Sequence, residues 1–312
     1  MKLFELATQY VAHKQSMGMR FRTEQRTLKS FCRAMGDIST ADVQAASVLV
    51  FIAGKGPVTR FWHRKHEVLV GFYRFAITRG YCATSPLPTI VPKRPPAFVP
   101  YIYSREELRR LLQATTICEH PCCKVRAHTF RALILLLYGA GLRIGEALTL
   151  TLNDVSLSNA LIQIRETKFY KTRLVPIGPD LVNVLSRYVS QRKEDHSAQP
   201  NHPFFVSRAG KAIQPWAPDL IFSRLRCRAK VERHDGGRFQ PRLHDLRHSF
   251  AVHRLISWYR QGADVQHLLP QLATYLGHVD VAATQRYLTM TPELLREASL
   301  RFERFAWEGA HE

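Results

Sequence analysis

Six prolines fall within the seventeen residues from Thr84 to Pro100. Proline fixes φ and lacks a backbone N–H, so this stretch is neither helix nor central strand. It is predicted to run as a stiff, extended linker over residues 84–103. A chain of 312 residues is also longer than one hydrophobic core usually serves. The expectation is two domains, 1–83 and 104–312.

The first domain reads as helical. Leu3, Leu6, Ala7, Tyr10 and Val11 recur at helical spacing, with a break near Gly18. A second helix is predicted over 23–35, stopped by Gly36. A third follows Thr40 as its N-cap and ends at Gly54. A fourth spans 58–79 and is closed by Gly80. In the fourth, Phe61, Val68, Leu69, Phe72 and Ala76 are expected to form the buried stripe. Arg60, His63, Arg64, Glu67 and Arg74 fall on the opposite face. That basic face is either simply solvated or turned to phosphates, with Arg60 and Arg64 as candidate DNA contacts. Lys93 and Arg94 of the linker are two more.

The second domain opens with a capping box, Ser104 to Glu107. Helices are predicted over 104–112, 129–138, 143–150, 180–192, 217–229 and 243–261, with helical pieces continuing to Trp307. Between 157 and 177 the apolar period changes. Leu161, Ile162, Ile164, Leu174, Val175 and Ile177 flank a polar turn around Phe169 to Lys171, which predicts a β-hairpin. The fold class expected is mainly α with a small β-hairpin or sheet.

Charge points to the partner. Lys plus Arg number 45 against 25 Asp plus Glu, a formal +20. Residues 1–103 hold 15 basic and 5 acidic side chains, leaving 30 and 20 for the rest, so both parts are basic by ten. An excess spread so evenly suits a long polyanion, although basic charge alone discriminates weakly. No run approaches 18 apolar residues, and the N-terminus lacks the apolar stretch of a secretory signal. The expectation is a cytoplasmic protein with no membrane partner. The six cysteines are scattered and expected to be reduced. Cys118, His120, Cys122, Cys123 and His128 lack a second paired arm, so no metal is expected.

Four segments of the second domain carry chemistry: Gly141-Leu142-Arg143-Ile144-Gly145-Glu146, the turn Lys168 to Arg173, His244-Asp245-Leu246-Arg247-His248, and Leu276-Gly277-His278 with Tyr287 nine residues on. Each alone has a plainer reading. Arg143 can pair with Glu146 one turn away. Lys168 can be a solvated turn residue, and Tyr287 a core residue with its hydroxyl at the surface. His244 and His248 share a helical face, but no Glu follows the first as zinc peptidases require. Together they describe attack on a phosphodiester. Tyr287 supplies a nucleophile that forms an aryl phosphate ester. Arg143 and Arg247 supply permanently charged forks for the nonbridging oxygens. An ammonium and imidazoles supply proton transfer, with no metal or other cofactor.

In this order and spacing the residues resemble the tyrosine recombinase, or phage integrase, family. The likeness covers about residues 104–292, and all six family positions are filled: Arg143, Lys168, His244, Arg247, His278 and Tyr287. The resemblance implies a two-domain, C-shaped DNA clamp: a helical, SAM-like core-binding domain followed by the catalytic domain. Tyr287 would form a 3′-phosphotyrosyl bond, and strand exchange would pass through a Holliday junction. Lys168 would protonate the 5′-oxygen, His244 would help deprotonate Tyr287, and Arg143, Arg247 and His278 would hold the phosphate. Glu146 is a candidate for fixing a catalytic side chain, and Lys171 and Arg173 are candidate DNA contacts.

The implied partners are double-stranded DNA and further copies of the chain, as a dimer and a synaptic tetramer, alone or with other recombinases. The implied setting is a prokaryotic nucleoid and a mobile element, by integration, excision or transposition. The apolar segment after Thr291 would dock on a neighbouring subunit or on its own domain. A non-catalytic DNA-binding relative, a type IB topoisomerase and a metallohydrolase are the rival readings. A Tyr287→Phe cleavage assay, supercoil relaxation without site pairing, and sensitivity to a chelator distinguish them.

Overall fold

The computed structural model describes residues 1–96, 98–165, 172–237, 239–278 and 280–308, with side chains up to 303. The chain divides into two compact units, Met1–Phe98 and Val99–Glu312. Residues 84–98 of the proline-rich stretch group with the first unit.

The first unit contains α1 (Leu3–Ser16), α2 (Arg22–Met35), α3 (Ala45–Ala53) and α4 (Arg60–Thr78). Its core gathers Leu6 and Tyr10 of α1, Leu28 and Phe31 of α2, Ile52 of α3, and Trp62, Leu69 and Phe72 of α4. Two local expectations are corrected. Thr40 does not cap α3; it begins a short 3-10 turn capped by Ser39, whose hydroxyl accepts from the Ala41 N–H. In α4 the buried face includes Trp62 and His63, while Phe61 is 56% exposed. The larger indole takes the core, and the Phe61 ring lies under the Lys65 ammonium, 5.0 Å from its centroid.

The second unit begins at α5 (Arg105–Gln113), where Ser104 and Glu107 form the expected capping box. α6 (Ala127–Gly139) is its central apolar helix, with Phe130, Leu133, Leu136 and Leu137 buried. A short helix, α7 (Ile144–Thr149), follows. Then come β1 (Val155–Ser156), β2 (Leu161–Ile164) and β3 (Arg173–Pro176), an antiparallel three-stranded sheet in the order β1-β2-β3. The predicted hairpin is β2–β3; its turn lies outside the described residues, and β1 is an addition. α8 (Pro179–Asp195), α9 (Ala217–Arg228), α10 (Asp245–Arg260), α11 (Val265–Leu276), the single turn α12 (Ala282–Gln285) and α13 (Pro292–Glu308) complete the unit.

α13 docks on its own chain. Leu294 is fully buried, and Arg260 of α10 reaches Glu293 and Glu297 at 2.7 and 2.9 Å. Leu295 and Phe302 of the same helix stay exposed. Among the described residues no helix is long and apolar enough to cross a membrane.

Candidate active site

The site is assembled on the C-terminal end of α11. The last carbonyls of a helix have no intrahelical donor and carry the negative end of its dipole. Here three consecutive ones are taken by arginines from three different segments. Arg173 of β3 donates Nε–H to the Tyr275 carbonyl at 3.1 Å. Arg247 of α10 donates to the Leu276 carbonyl at 2.6 Å, and Arg143, preceding α7, to the Gly277 carbonyl at 3.1 Å. Gly277 closes the helix in the left-handed region, φ +66°, where a Cβ would lie 2.7 Å from the Arg173 guanidinium. Only glycine fits both demands.

Glu146 of α7 ties two of these arginines together. It pairs with Arg143 at 2.8 Å and meets the Arg173 fork at 3.1 and 2.8 Å, while its other contact accepts the Arg143 backbone N–H at 3.0 Å. Burial alone would raise the Glu146 pKa. The hydrogen bonds and charges of Arg173 and Arg143 outweigh it and hold the carboxyl at about 2. Arg173, expected as a DNA contact, is thus turned inward, its side chain 12% exposed. Strand alternation carries that signal: Arg173 shares a pleat face with fully buried Val175, while Leu174 between them is 60% exposed.

Arg247 is the most enclosed cation of the site, 2% exposed, and also donates to the Gly141 carbonyl at 2.6 Å. Burial, then the Arg143 charge, lowers its pKa to about 10, so it remains a cation at neutral pH. Tyr287 lies in a one-turn 3-10 segment after α12 and is itself 2% exposed. Burial raises the phenol pKa, opposed by the charges of Arg247 and Arg143. Its hydroxyl lies 3.1 Å from Nδ1 of His248. His278 flanks the phenol ring with centroids 6.1 Å apart, and its Nδ1 is 2.6 Å from the Thr284 hydroxyl. Desolvation, then the nearby arginines, lowers His278 to about 4, a neutral imidazole at working pH. His244 is exposed, and its ring meets that of His248 edge-on at 5.0 Å. Desolvation, then Arg247, lowers its pKa as well.

The structure therefore gathers Arg143, Glu146, His244, Arg247, His278 and Tyr287 at one place, and adds His248 and Arg173 to them. His248 was considered from the sequence only as a metal partner of His244; the four-residue spacing that places both on one face was the available signal. Lys168 and Lys171 lie outside the described residues. Of the candidate DNA contacts in the first unit, Arg64 approaches Glu24 at 3.5 Å and Arg94 pairs with Glu67 at 2.5 Å. Arg60 donates to the Pro96 carbonyl at 3.2 Å, and Lys93 is exposed.

A cluster of two buried-edge arginines, imidazoles and a phenol, on a helical domain with a small sheet, defines a phosphodiester transesterase. The match to the phage integrase family over residues 103–293 settles the class: this chain belongs to that family and is a DNA strand-cleaving and rejoining recombinase. Among its relatives, the integrase/recombinase y4rB of Sinorhizobium fredii is 35% identical, with 99% of each chain covered. The tyrosine recombinase XerC of Chlorobaculum parvum is 30% identical over 82% of this chain and 77% of the relative. Among solved structures, the Tn1549 transposon integrase in complex with transposon right end DNA superposes with a TM-score of 0.69 at 16% identity, covering 98% of this chain and 100% of that one. A lambda integrase dimer bound to a core site gives 0.65 at 16% identity, covering 94% and 97%. Likeness at that identity shows the shared fold.

Proposed function

We propose that this chain is a site-specific recombinase of a mobile element, cutting duplex DNA with Tyr287 and exchanging strands through a Holliday junction. The observation that carries this reading is the Tyr287 hydroxyl, buried beside His248 within reach of the Arg247 and Arg143 charges. Two guanidinium groups beside a buried phenol suit the nonbridging oxygens of a phosphate.

In the reaction, Arg143 and Arg247 hold the nonbridging oxygens of the scissile phosphate and stabilise the charge that builds on them. His278 adds a third hydrogen bond. The Tyr287 oxygen attacks phosphorus, the bond to the 5′-oxygen breaks, and Lys168 returns a proton to that oxygen. His244, with its neighbours on α10, manages the phenol proton. The 3′-phosphotyrosyl bond keeps the energy of the broken ester, so the 5′-hydroxyl of a partner strand reverses the step without ATP.

Duplex DNA is bound by the catalytic unit, residues 104–312, and by residues 1–83 as a core-binding domain. Arg60, Arg64, Lys93, Arg94 and Lys171 make contacts to the DNA backbone. Copies of the chain pair on DNA and synapse as a tetramer. Lambda integrase, which shares the fold, forms a dimer on a core site and a tetramer on a Holliday junction. The mobile-element role draws on the likeness to y4rB and to a transposon integrase.

The test is a nicked duplex carrying the element's end sequence, which traps the intermediate when the short 5′ fragment diffuses away. The wild-type chain should form a denaturant-stable protein–DNA adduct, and Tyr287→Phe none. Adduct formation by that variant would overturn the reading.

A further inference from the structure

The imidazole bonded to the reactive phenol is not that of His244. Nδ1 of His248 lies 3.1 Å from the Tyr287 hydroxyl, with the two rings 5.6 Å apart. His248 sits on the second turn of α10, directly after Arg247 and four residues beyond His244. The ring of His244 meets that of His248 edge-on, with centroids 5.0 Å apart.

On this geometry, and given Tyr287 as the nucleophile, we propose that His248 is a further catalytic residue: its Nδ1 accepts the Tyr287 proton as the phenol oxygen attacks phosphorus, with His244 as a positioning residue behind it. Nδ1 is the unprotonated nitrogen in the resting tautomer, and the Tyr287 O–H donates to it. As the oxygen–phosphorus bond forms, the proton moves to Nδ1 and the bond to the 5′-oxygen breaks, that oxygen taking its proton from Lys168. On rejoining, the imidazolium returns the proton to the departing phenol. No co-reactant is required.

The electrostatics fit a proton acceptor that works only when DNA is present. The groups acting on His248 are His244, Arg247 and Arg242 from α10 and its approach, with Arg286 and Tyr287 from the 3-10 segment. Desolvation and then these positive neighbours push it down to about 3, so the imidazole is neutral at any working pH. A phosphate seated between Arg143 and Arg247 brings negative charge beside the same imidazole and offsets their repulsion of the incoming proton. Without DNA the phenol stays protonated and inert.

Single-turnover cleavage of the nicked duplex from pH 6 to 10 tests this, using wild type, His248→Asn, His248→Phe and Tyr287→Phe. The asparagine carbonyl can still accept the phenol hydrogen bond but cannot take the proton. We expect both His248 variants to bind duplex as wild type does and to cleave about 10²-fold or more slowly at pH 7. Their rates should climb steeply with pH, as solvent base takes over, while the wild-type profile is flatter. A wild-type rate and profile in His248→Asn, with Tyr287→Phe inactive, would overturn the role of His248 and leave Tyr287 as nucleophile. So would a loss matched by weaker DNA binding with the pH profile unchanged. Adduct formation by Tyr287→Phe would instead remove the nucleophile on which the proposal rests.

Discussion

Glu146 and Arg173 form a two-pronged ion pair inside the catalytic unit, at 3.1 and 2.8 Å, with 11% and 12% of their side chains exposed. The pair joins β3 to α7 and, through Glu146, to Arg143. Replacing Glu146 strands the Arg173 guanidinium as a buried charge, which typically costs about 3–5 kcal/mol, whereas replacing Arg173 leaves Glu146 paired with Arg143. Glu146→Gln is therefore expected to lower the melting temperature of the protein by several degrees and to slow cleavage by freeing Arg143. Differential scanning calorimetry and the adduct assay check this.

Because the pair faces inward, Arg173→Gln should reduce cleavage without changing how DNA affinity depends on salt. Each lost phosphate contact lowers the slope of log affinity against log salt by about 0.9. Arg60→Gln and Lys93→Gln, at the backbone contacts proposed above, should each lower it by about that amount. Filter binding over 50–300 mM salt separates the two behaviours; a flattened slope for Arg173→Gln would contradict the inward placement.

The hairpin register shows why this was hard to read beforehand. The His-x-x-Arg pair and the His278-to-Tyr287 interval were legible because a chemistry demanding a phenol, two guanidinium groups and imidazoles leaves few substitutes. The inward turn of Arg173 is not legible because charged residues in a basic hairpin are ordinarily solvated, and its partners, Glu146 27 residues before it and the Tyr275 carbonyl, are distant in sequence. Leu174 points outward and Arg173 inward, which inverts the usual expectation for an apolar and a charged neighbour. Phe61 and Trp62 pose the same problem. Periodicity finds a stripe, but which of two adjacent aromatics fills the core depends on the shape of the space between helices. Phe61→Ser should accordingly be near neutral, while Trp62→Ala, 5% exposed, should cost about 3–5 kcal/mol. Urea denaturation measures both.

Acid should weaken the catalytic unit through its histidines. His248 and His278 are depressed to about 3 and about 4, below the value near 6.5 of an unfolded histidine. In this case the unfolded chain binds protons first. Stability is full above pH 6.5 and falls as pH drops from there toward the folded values. Between pH 7.5 and 5 each contributes a loss on the order of 1–2 kcal/mol. Melting temperatures at the two pH values should show the drop, and His278→Asn should reduce it.

Three glycines separate two kinds of constraint. Gly141→Ala puts a methyl 2.6 Å from Phe250 at φ +60°, and Gly277→Ala puts one 2.7 Å from Arg173 at φ +66°. Both should destabilise and reduce adduct yield. Gly145 in α7 has open space where its Cβ would be, so Gly145→Ala should be neutral or stabilise by up to about 1 kcal/mol. Thermal melts of the three variants provide the comparison.

The end of α11 holds Arg173, Arg247 and Arg143 on neighbouring carbonyls. Cations from three distant stretches of chain share one anchor, so their alignment is gained or lost as a unit. A displacement of that helix terminus by a fraction of a turn would move all three guanidinium groups together, Arg143 and Arg247 at the phosphate and Arg173 behind them. The geometry of the cluster is thus set by the position of a single helix end rather than by each side chain on its own.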